Sequence, residues 1–366
     1  MTISREFSPL LFDQLQTLLR KQYSHESVLL SGADPLPTVQ VVAIGDPVLD
    51  ALLSGQSDVG GIPRGMITEI SGPNSAGKTT LAQEILSSFM RSFPKRGGAF
   101  VDAECATDIN YLQVMEIPVK EKRFAFSRPN QGKEALHTIA QLAKTGMFSC
   151  IVLDSFAALD PPHSEKKDRE IGDSQIGSVS KMAAEAFREL KPILAANDCA
   201  LIIINQERIK MTAMGPRGIQ TTGGEVIAYW SDLRLRITHG DKESGERIIK
   251  VIKSKTQAIA SSEATFYIQH GIGIDRTASL YNQLVEKNLL TVVGGGNHTI
   301  PFMDGTEFYK VKGKENLFDL LKQNSNFRSA ACKALSIPDF SPRLSYHVKR
   351  PASQLTDPPL IINQEE

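Results

Sequence analysis

Residues 72–80 read GPNSAGKTT. The spacing Gly72-x4-Gly77-Lys78-Thr79 is that of a loop that grips nucleotide phosphates. Its glycines let backbone N–H groups turn inward around the phosphates, Lys78 reaches the terminal ones, and the Thr79 hydroxyl suits Mg²⁺. Pro73, Asn74, Ser75, Ala76 and Thr80 complete the candidate cradle. A second candidate is Asp154, at the end of the apolar run CIVLDS, where a strand-end carboxylate holds the shell of a Mg²⁺ ion through water. Taken alone, such a residue is equally a simple turn. A third is Glu104, ending FVDAE: a carboxylate on a neighbouring strand end polarises an attacking water, or else caps the strand as an exposed polar group.

These groups need strands to deliver them. GMITEIS enters the glycine-rich loop and TTLAQEILSSFMRSF leaves it as a helix. GGAFVDAE, SCIVLDS, CALIIINQ, DLRLRIT and RIIKVIKSK are further strand patterns, and KEALHTIAQLAKTG and SVSKMAAEAFRELKPILAAN are helical ones. The runs CIVL and ALIII are continuously apolar, as in strands covered on both faces. The expected fold is therefore α/β, with a mostly parallel central sheet over residues 45–275.

Residues 1–44 form an N-terminal helix and linker. Ser8 is the N-cap, Pro9 opens the helix, and Leu11, Phe12, Leu15, Leu18 and Leu19 share one face. Such a stripe needs a partner, either its own core or a neighbouring copy. Residues 276–340 read as a small α+β module, and residues 341–366 as a flexible polar tail.

The 366 residues carry 41 basic and 41 acidic side chains, so overall charge gives no sign of a nucleic-acid partner and local clusters must supply it. Cys105, Cys150, Cys199 and Cys332 lie far apart and form neither a metal-binding pair nor a disulfide framework. Without a leader pattern or a long apolar span, a soluble cytoplasmic protein and no membrane partner are expected.

One cluster stands out. After Gln206 comes ERIKMTAMGPRGIQTTG, too long and glycine-rich for a regular element. Arg208, Lys210 and Arg217 face a single acid, Glu207, and Ile209, Met211, Met214 and Ile219 supply apolar wedges. Cations neutralise phosphates while wedges separate stacked bases; a solvated loop without a ligand is the alternative. Gln206 itself joins the end of the ALIIIN strand to this segment. An amide there can bond a terminal phosphate and lose that bond after hydrolysis, or be an ordinary strand-end polar group. Lys253 and Lys255 of KSK project on one side of a strand, which also describes a lysine-blunted edge.

In order and spacing, LLRKQY, PRGMITEISGPNSAGKTTL, FVDAECATDINYL, CIVLDSFAAL, EIGDSQIG, IIINQERIK and TTGGEVIAYW resemble the bacterial RecA family of strand-exchange recombinases over residues 15–335. The resemblance implies a RecA-like P-loop core, ATP with Mg²⁺, and helical self-assembly on single-stranded DNA that is then paired with homologous duplex DNA. It implies that PPHSEKKDREIGDSQIG and residues 207–224 are the two DNA-binding loops, with Ile176 and Met211 inserted between bases and Lys181 and Arg188 on the backbone. It places Gly223 and Gly224 at the DNA-facing end of the second loop, Asp108 and Tyr111 on adenine, and Tyr229 at a subunit interface. Gln206 falls on the family's switch glutamine. Lys253 and Lys255 match lysines that reach a neighbour's ATP.

Four departures stand beside these matches. Lys181 replaces an arginine, Glu225 a neutral residue, and Ile248 a basic one, while the tail lacks the family's acidic character. A ring-forming helicase and a RecA-like accessory ATPase without strand exchange are the competing readings.

Overall fold

The computed structural model describes residues 8–23, 39–54, 60–159, 178–212, 215–222, 225–241, 244–256, 263–301 and 309–337. Two compact units are present, residues 1–40 and residues 41–366. The first holds α1 (Pro9–Tyr23). Ser8 begins it as expected, its carbonyl accepting from the Phe12 N–H at 3.0 Å. Leu10, Leu11 and Leu18 are each at least 60% exposed.

The second unit opens with β1 (Val41–Val42), α2 (Pro47–Ser54) and β2 (Ile62–Pro63). Then come β3 (Ile67–Gly72), α3 (Lys78–Ser92), β4 (Gly97–Asp102), α4 (Ile109–Val114), β5 (Phe124–Ser127), α5 (Gly132–Lys144) and β6 (Phe148–Asp154). A helix α6 (Ser178–Ala196) leads into β7 (Ala200–Thr212) and β8 (Gly215–Thr221). The short α7 (Glu225–Trp230) precedes β9 (Leu233–His239), β10 (Glu246–Ser254), β11 (Glu263–Gln269) and β12 (Gly273–Ile274).

Nine strands lie side by side in the order β12-β11-β10-β9-β3-β7-β6-β4-β5, with β8 attached to β7. From β9 to β5 every neighbouring pair is parallel, and β10, β11 and β12 extend the edge antiparallel. The continuous apolar runs are explained by cover on both faces. Ile70, Val152, Ile202 and Ile204 pack on one side with Leu81, Ile85 and Phe89 of α3. Ile151, Leu153, Leu201 and Ile203 pack on the other with Leu136, Phe187 and Leu190 of α5 and α6.

Residues 276–337 form a smaller cluster: α8 (Arg276–Glu286), an antiparallel sheet of β13 (Thr291–Val293), β14 (Asn297–Ile300) and β15 (Tyr309–Lys312), then α9 (Lys314–Gln323) and α10 (Ser325–Ala334). Asn324 separates the last two because its side chain accepts from the Phe327 N–H at 3.0 Å and caps α10.

The second loop departs from expectation. Instead of an irregular segment, β7 continues past Gln206 to Thr212 and folds back as β8, pairing Glu207 with Thr221 and Ile209 with Ile219. The alternation of Arg208, Lys210 and Thr212 with Ile209 and Met211 is a strand period, which the flanking glycines mask.

Buried charge ties α2, α3 and α8 together. Arg276 pairs with Glu84, both nearly inaccessible. Asp46 accepts from the Val48 and Leu49 N–H groups at 3.0 Å each, and Asp50 accepts from Ile44 and Gly45 at 2.7 and 2.8 Å. Burial, the largest cause, pushes Asp46 up to about 6 and Asp50 up to about 7 despite those bonds. A carboxyl raised in the folded state contributes stability while protonated and loses it as pH rises through its folded value. These two aspartates therefore stabilise the ligand-free protein as pH falls from about 8 towards 5. Urea unfolding midpoints at several pH values should rise over that window in the wild type, and rise less in Asp50→Asn.

Candidate functional site

Parallel pairing fixes where the chemistry can occur. Gly72 of β3 stands opposite Gln206 of β7, and Asp102 of β4 opposite Asp154 of β6. All four lie at the carboxyl edge of the sheet, where open α/β folds place their ligands.

The phosphate loop turns directly off β3. Gly72 has φ 153°, and a Cβ there would stand 2.1 Å from the Ile237 carbonyl oxygen. Gly77 has φ 97°, and a Cβ there would meet Ile268 at 2.2 Å. Ser75, a residue with a side chain, is also left-handed at φ 59°. Lys78 folds back into the loop, its Nζ donating to the carbonyls of Gly72 at 3.0 Å and Pro73 at 2.7 Å. Burial holds the Lys78 ammonium below its ordinary value, opposed by the charges of Asp154, Glu104 and Glu207. An arriving phosphate would give this desolvated cation the anion it lacks.

Thr79 Oγ1 donates to Asp154 Oδ2 at 2.8 Å. Burial pushes Asp154 up to about 7, with Glu104 and Asp102 adding repulsion while Thr79 and Lys78 oppose it. A hydroxyl and a carboxylate this close are hard oxygen donors, and they fit Mg²⁺. Next to them Ser155 Oγ donates to Glu104 Oε1, and Gln206 Nε2 donates to the same oxygen at 3.1 Å. The Glu104 N–H donates to the Asp154 carbonyl at 3.2 Å, so Asp154, Ser155, Glu104 and Gln206 form one row beside the loop. Ser155 was not singled out from the sequence; its position after Asp154 was the available signal.

The row continues into the hairpin. The Gln206 carbonyl accepts from Thr222 N–H at 3.1 Å, and Asn205 Nδ2 donates to the Thr222 carbonyl at 3.0 Å and to Glu69 at 2.9 Å. Arg234 also bonds buried Glu69, and Arg236 grips Glu207 at 2.6 and 3.0 Å. The hairpin carrying Arg208, Lys210, Met211 and Arg217 is therefore anchored at its base. Glu225 opens α7, where its carboxylate suits the positive end of the helix.

Ile176, Gly223 and Gly224 lie outside the described residues. Lys181 and Arg188 are exposed on α6, seven positions apart and so on one face. Tyr111 lines a cleft of about 860 Å³ with Ser75, Gly77, Lys78, Thr79 and Thr80. Asp108 instead caps α4, accepting from Asn110 N–H at 2.8 Å, and is not among the lining residues. Arg247, Tyr267 and His270 do line the cleft and were not anticipated from the sequence.

Lys253 and Lys255 lie at the opposite edge. Ser254 pairs with Leu233, which pairs in turn with Thr68 near the start of β3. That places them about 13 Å or more along the strand from Gly72. Lys253 Nζ donates to the Ala228 carbonyl at 2.5 Å and the Tyr229 carbonyl at 3.3 Å, and Lys255 Nζ reaches Tyr229 at 3.4 Å. Both therefore cap the negative end of α7. Tyr229 beside them is 70% exposed.

Strand order, loop and carboxylate row together define a P-loop nucleoside triphosphatase. A family model, the RecA N-terminal domain, matches residues 12–275. The chain is 35% identical to Protein RecA of Oleidesulfovibrio alaskensis over 326 residues, 86% of this chain and 87% of the relative. It is 36% identical to Protein RecA of Geobacter sulfurreducens over 286 residues, covering 75% and 81% respectively. It is 35% identical to Protein RecA of Thermus thermophilus over 286 residues, covering 75% and 80%. The chain belongs to the RecA family. Among the described residues, no helix is long and apolar enough to cross a membrane.

The row predicts separable effects. Glu104→Gln keeps the shape and the amide contact but removes the carboxylate expected to act as the base. Single-turnover measurements should show hydrolysis falling by about 10²–10⁴-fold while nucleotide affinity holds within a few-fold.

Proposed function

We infer that the carboxyl-edge site couples ATP hydrolysis to DNA binding through Gln206. The protein is a DNA-dependent ATPase that forms filaments on single-stranded DNA and catalyses homologous pairing and strand exchange. The observation that carries this reading is the double attachment of Gln206. Its side chain bonds Glu104 at 3.1 Å, and its carbonyl bonds Thr222 at the closing end of the hairpin. One residue thereby belongs to both the hydrolytic row and the DNA-binding element.

In this reading Lys78 and the loop N–H groups hold the phosphates of ATP. Thr79 and Asp154 hold Mg²⁺, which neutralises phosphate charge when bound. Glu104 orients and deprotonates the attacking water. Gln206 exchanges its bond to Glu104 for one to the terminal phosphate oxygen, and the tug on the β7 strand repositions the hairpin base. Release of phosphate restores the Glu104 bond and the weaker DNA-binding arrangement. Arg208, Lys210 and Arg217 meet DNA phosphates, and Met211 and Ile176 enter between bases. Lys181 and Arg188 add contacts from α6. Homologous duplex DNA is the second substrate, and residues 1–44 and the Tyr229 surface join neighbouring copies.

The site is completed by a neighbour. Lys253 and Lys255 are too far from their own phosphate loop to serve it, so they act on the ATP of an adjacent copy. Their positions at one sheet edge and the phosphate loop at the other suit head-to-tail assembly, which builds an open helix or a ring rather than a two-fold dimer.

Two experiments test the reading. Gln206→Ala should leave ATP binding intact yet make affinity for an oligothymidylate the same with a non-hydrolysable ATP analogue, with ADP, or with neither; a retained preference for the ATP state would refute the coupling. Lys78→Ala and the double variant Lys253→Ala, Lys255→Ala should each lose DNA-stimulated phosphate release. Mixing them should restore part of it, since roughly one seam in four then joins an intact loop to intact lysines.

A further inference from the structure

Arg247 has no role in the reading above, yet it sits against the phosphate loop. It belongs to β10, paired with His239 of β9 and Phe266 of β11. Those neighbours also converge on the loop. His239 Nε2 lies 3.1 Å from the Asn74 carbonyl, and Ile268 of β11 comes within 2.2 Å of where a Gly77 Cβ would stand. The Arg247 Nε lies 3.9 Å from that same point. Arg247 lines the nucleotide cleft with Gly77, Lys78, Thr80 and Tyr111.

Its hydrogen bonding is incomplete. Nη1 donates at 2.7 Å to the carbonyl of Glu246, its own neighbour in the chain. The Nε–H is sealed from solvent with no acceptor. Among the described residues Arg247 pairs with no carboxylate; the Glu246 carboxylate accepts instead from the Tyr267 hydroxyl at 3.4 Å. An arginine on an ordinary solvated edge would leave its donors in water, and an internal one would have a carboxylate. A guanidinium fork with idle donors beside a loop that binds phosphates fits a phosphate oxygen.

We propose that Arg247 is a further nucleotide ligand supplied by the same chain, contacting the phosphates nearest the ribose. The assignment rests on the nucleotide-site reading and extends it. Lys78 and Thr79 serve the terminal phosphate and its cation, whereas Arg247 approaches from the side of Gly77 and Thr80, where the loop becomes α3. It therefore holds ADP and ATP alike. The neighbour's lysines add charge only after assembly, and Arg247 lets an unassembled chain keep its nucleotide.

Equilibrium titration of the full-length protein with ADP and with a non-hydrolysable ATP analogue, both without DNA, tests this. Arg247→Gln should weaken both by the same factor, about 10- to 100-fold, and Arg247→Lys should restore part of the loss. Should Arg247→Gln fold poorly, Arg247→Thr, which suits a strand, carries the same comparison. Unchanged affinity for both nucleotides overturns the proposal, as does a loss confined to the ATP analogue. Lys78→Ala is the reference: if it binds both nucleotides normally, the site reading itself fails, whereas its failure to bind beside a normal Arg247→Gln sinks the Arg247 assignment alone.

Discussion

Parallel register is the constraint on which the rest depends. Because β3 pairs with β7 residue for residue, the end of the strand that makes the phosphate loop is locked beside the strand that begins the hairpin. Because β4 pairs with β6, the strand that leads to Glu104 ends level with the one bearing Asp154. A slip of one residue in either pair would turn every buried side chain to the wrong face. The apolar packing on both sheet faces therefore sets the position of the candidate catalytic groups as firmly as it holds the fold.

The row from Thr79 through Asp154, Ser155 and Glu104 to Gln206 is built from bonds each worth about 1 kcal/mol net. That small magnitude matters. A signal carried by one exchanged hydrogen bond shifts an equilibrium about five-fold, which is modest for one subunit. Repetition along an assembly multiplies it. The base of the hairpin is by contrast stiff, since Arg236 holds Glu207 with two bonds and Asn205 ties Thr222 to buried Glu69. In the proposed coupling, motion would pass to the whole hairpin rather than loosen its root.

Much of this was legible in the sequence, because its causes are local. Continuous apolar runs exposed the two-sided sheet, and glycine spacing exposed the loop. Long-range geometry was not legible. The hairpin at 207–221 read as a loop because GPRG interrupts its strand period, and pairing with β7 outweighs that interruption. That Asp108 also caps α4 through one carboxylate oxygen was not legible either. Arg247 sat in RIIKVIKSK, read as a strand, and only the packing of β10 and β11 over Gly77 reveals what it faces. Ser155 needed the β4–β6 alignment before its hydroxyl could be placed on Glu104.

The two lysines on the far edge have one more consequence. Each ammonium donates to the exposed carbonyl end of a short helix, Lys253 partly buried and Lys255 exposed beside Asp232, so any phosphate that draws these charges away has to replace those contacts. In the proposed assembly, a companion already loaded with triphosphate would have to offer something better. Solitary copies would then idle, and fuel would be burned chiefly where many have lined up.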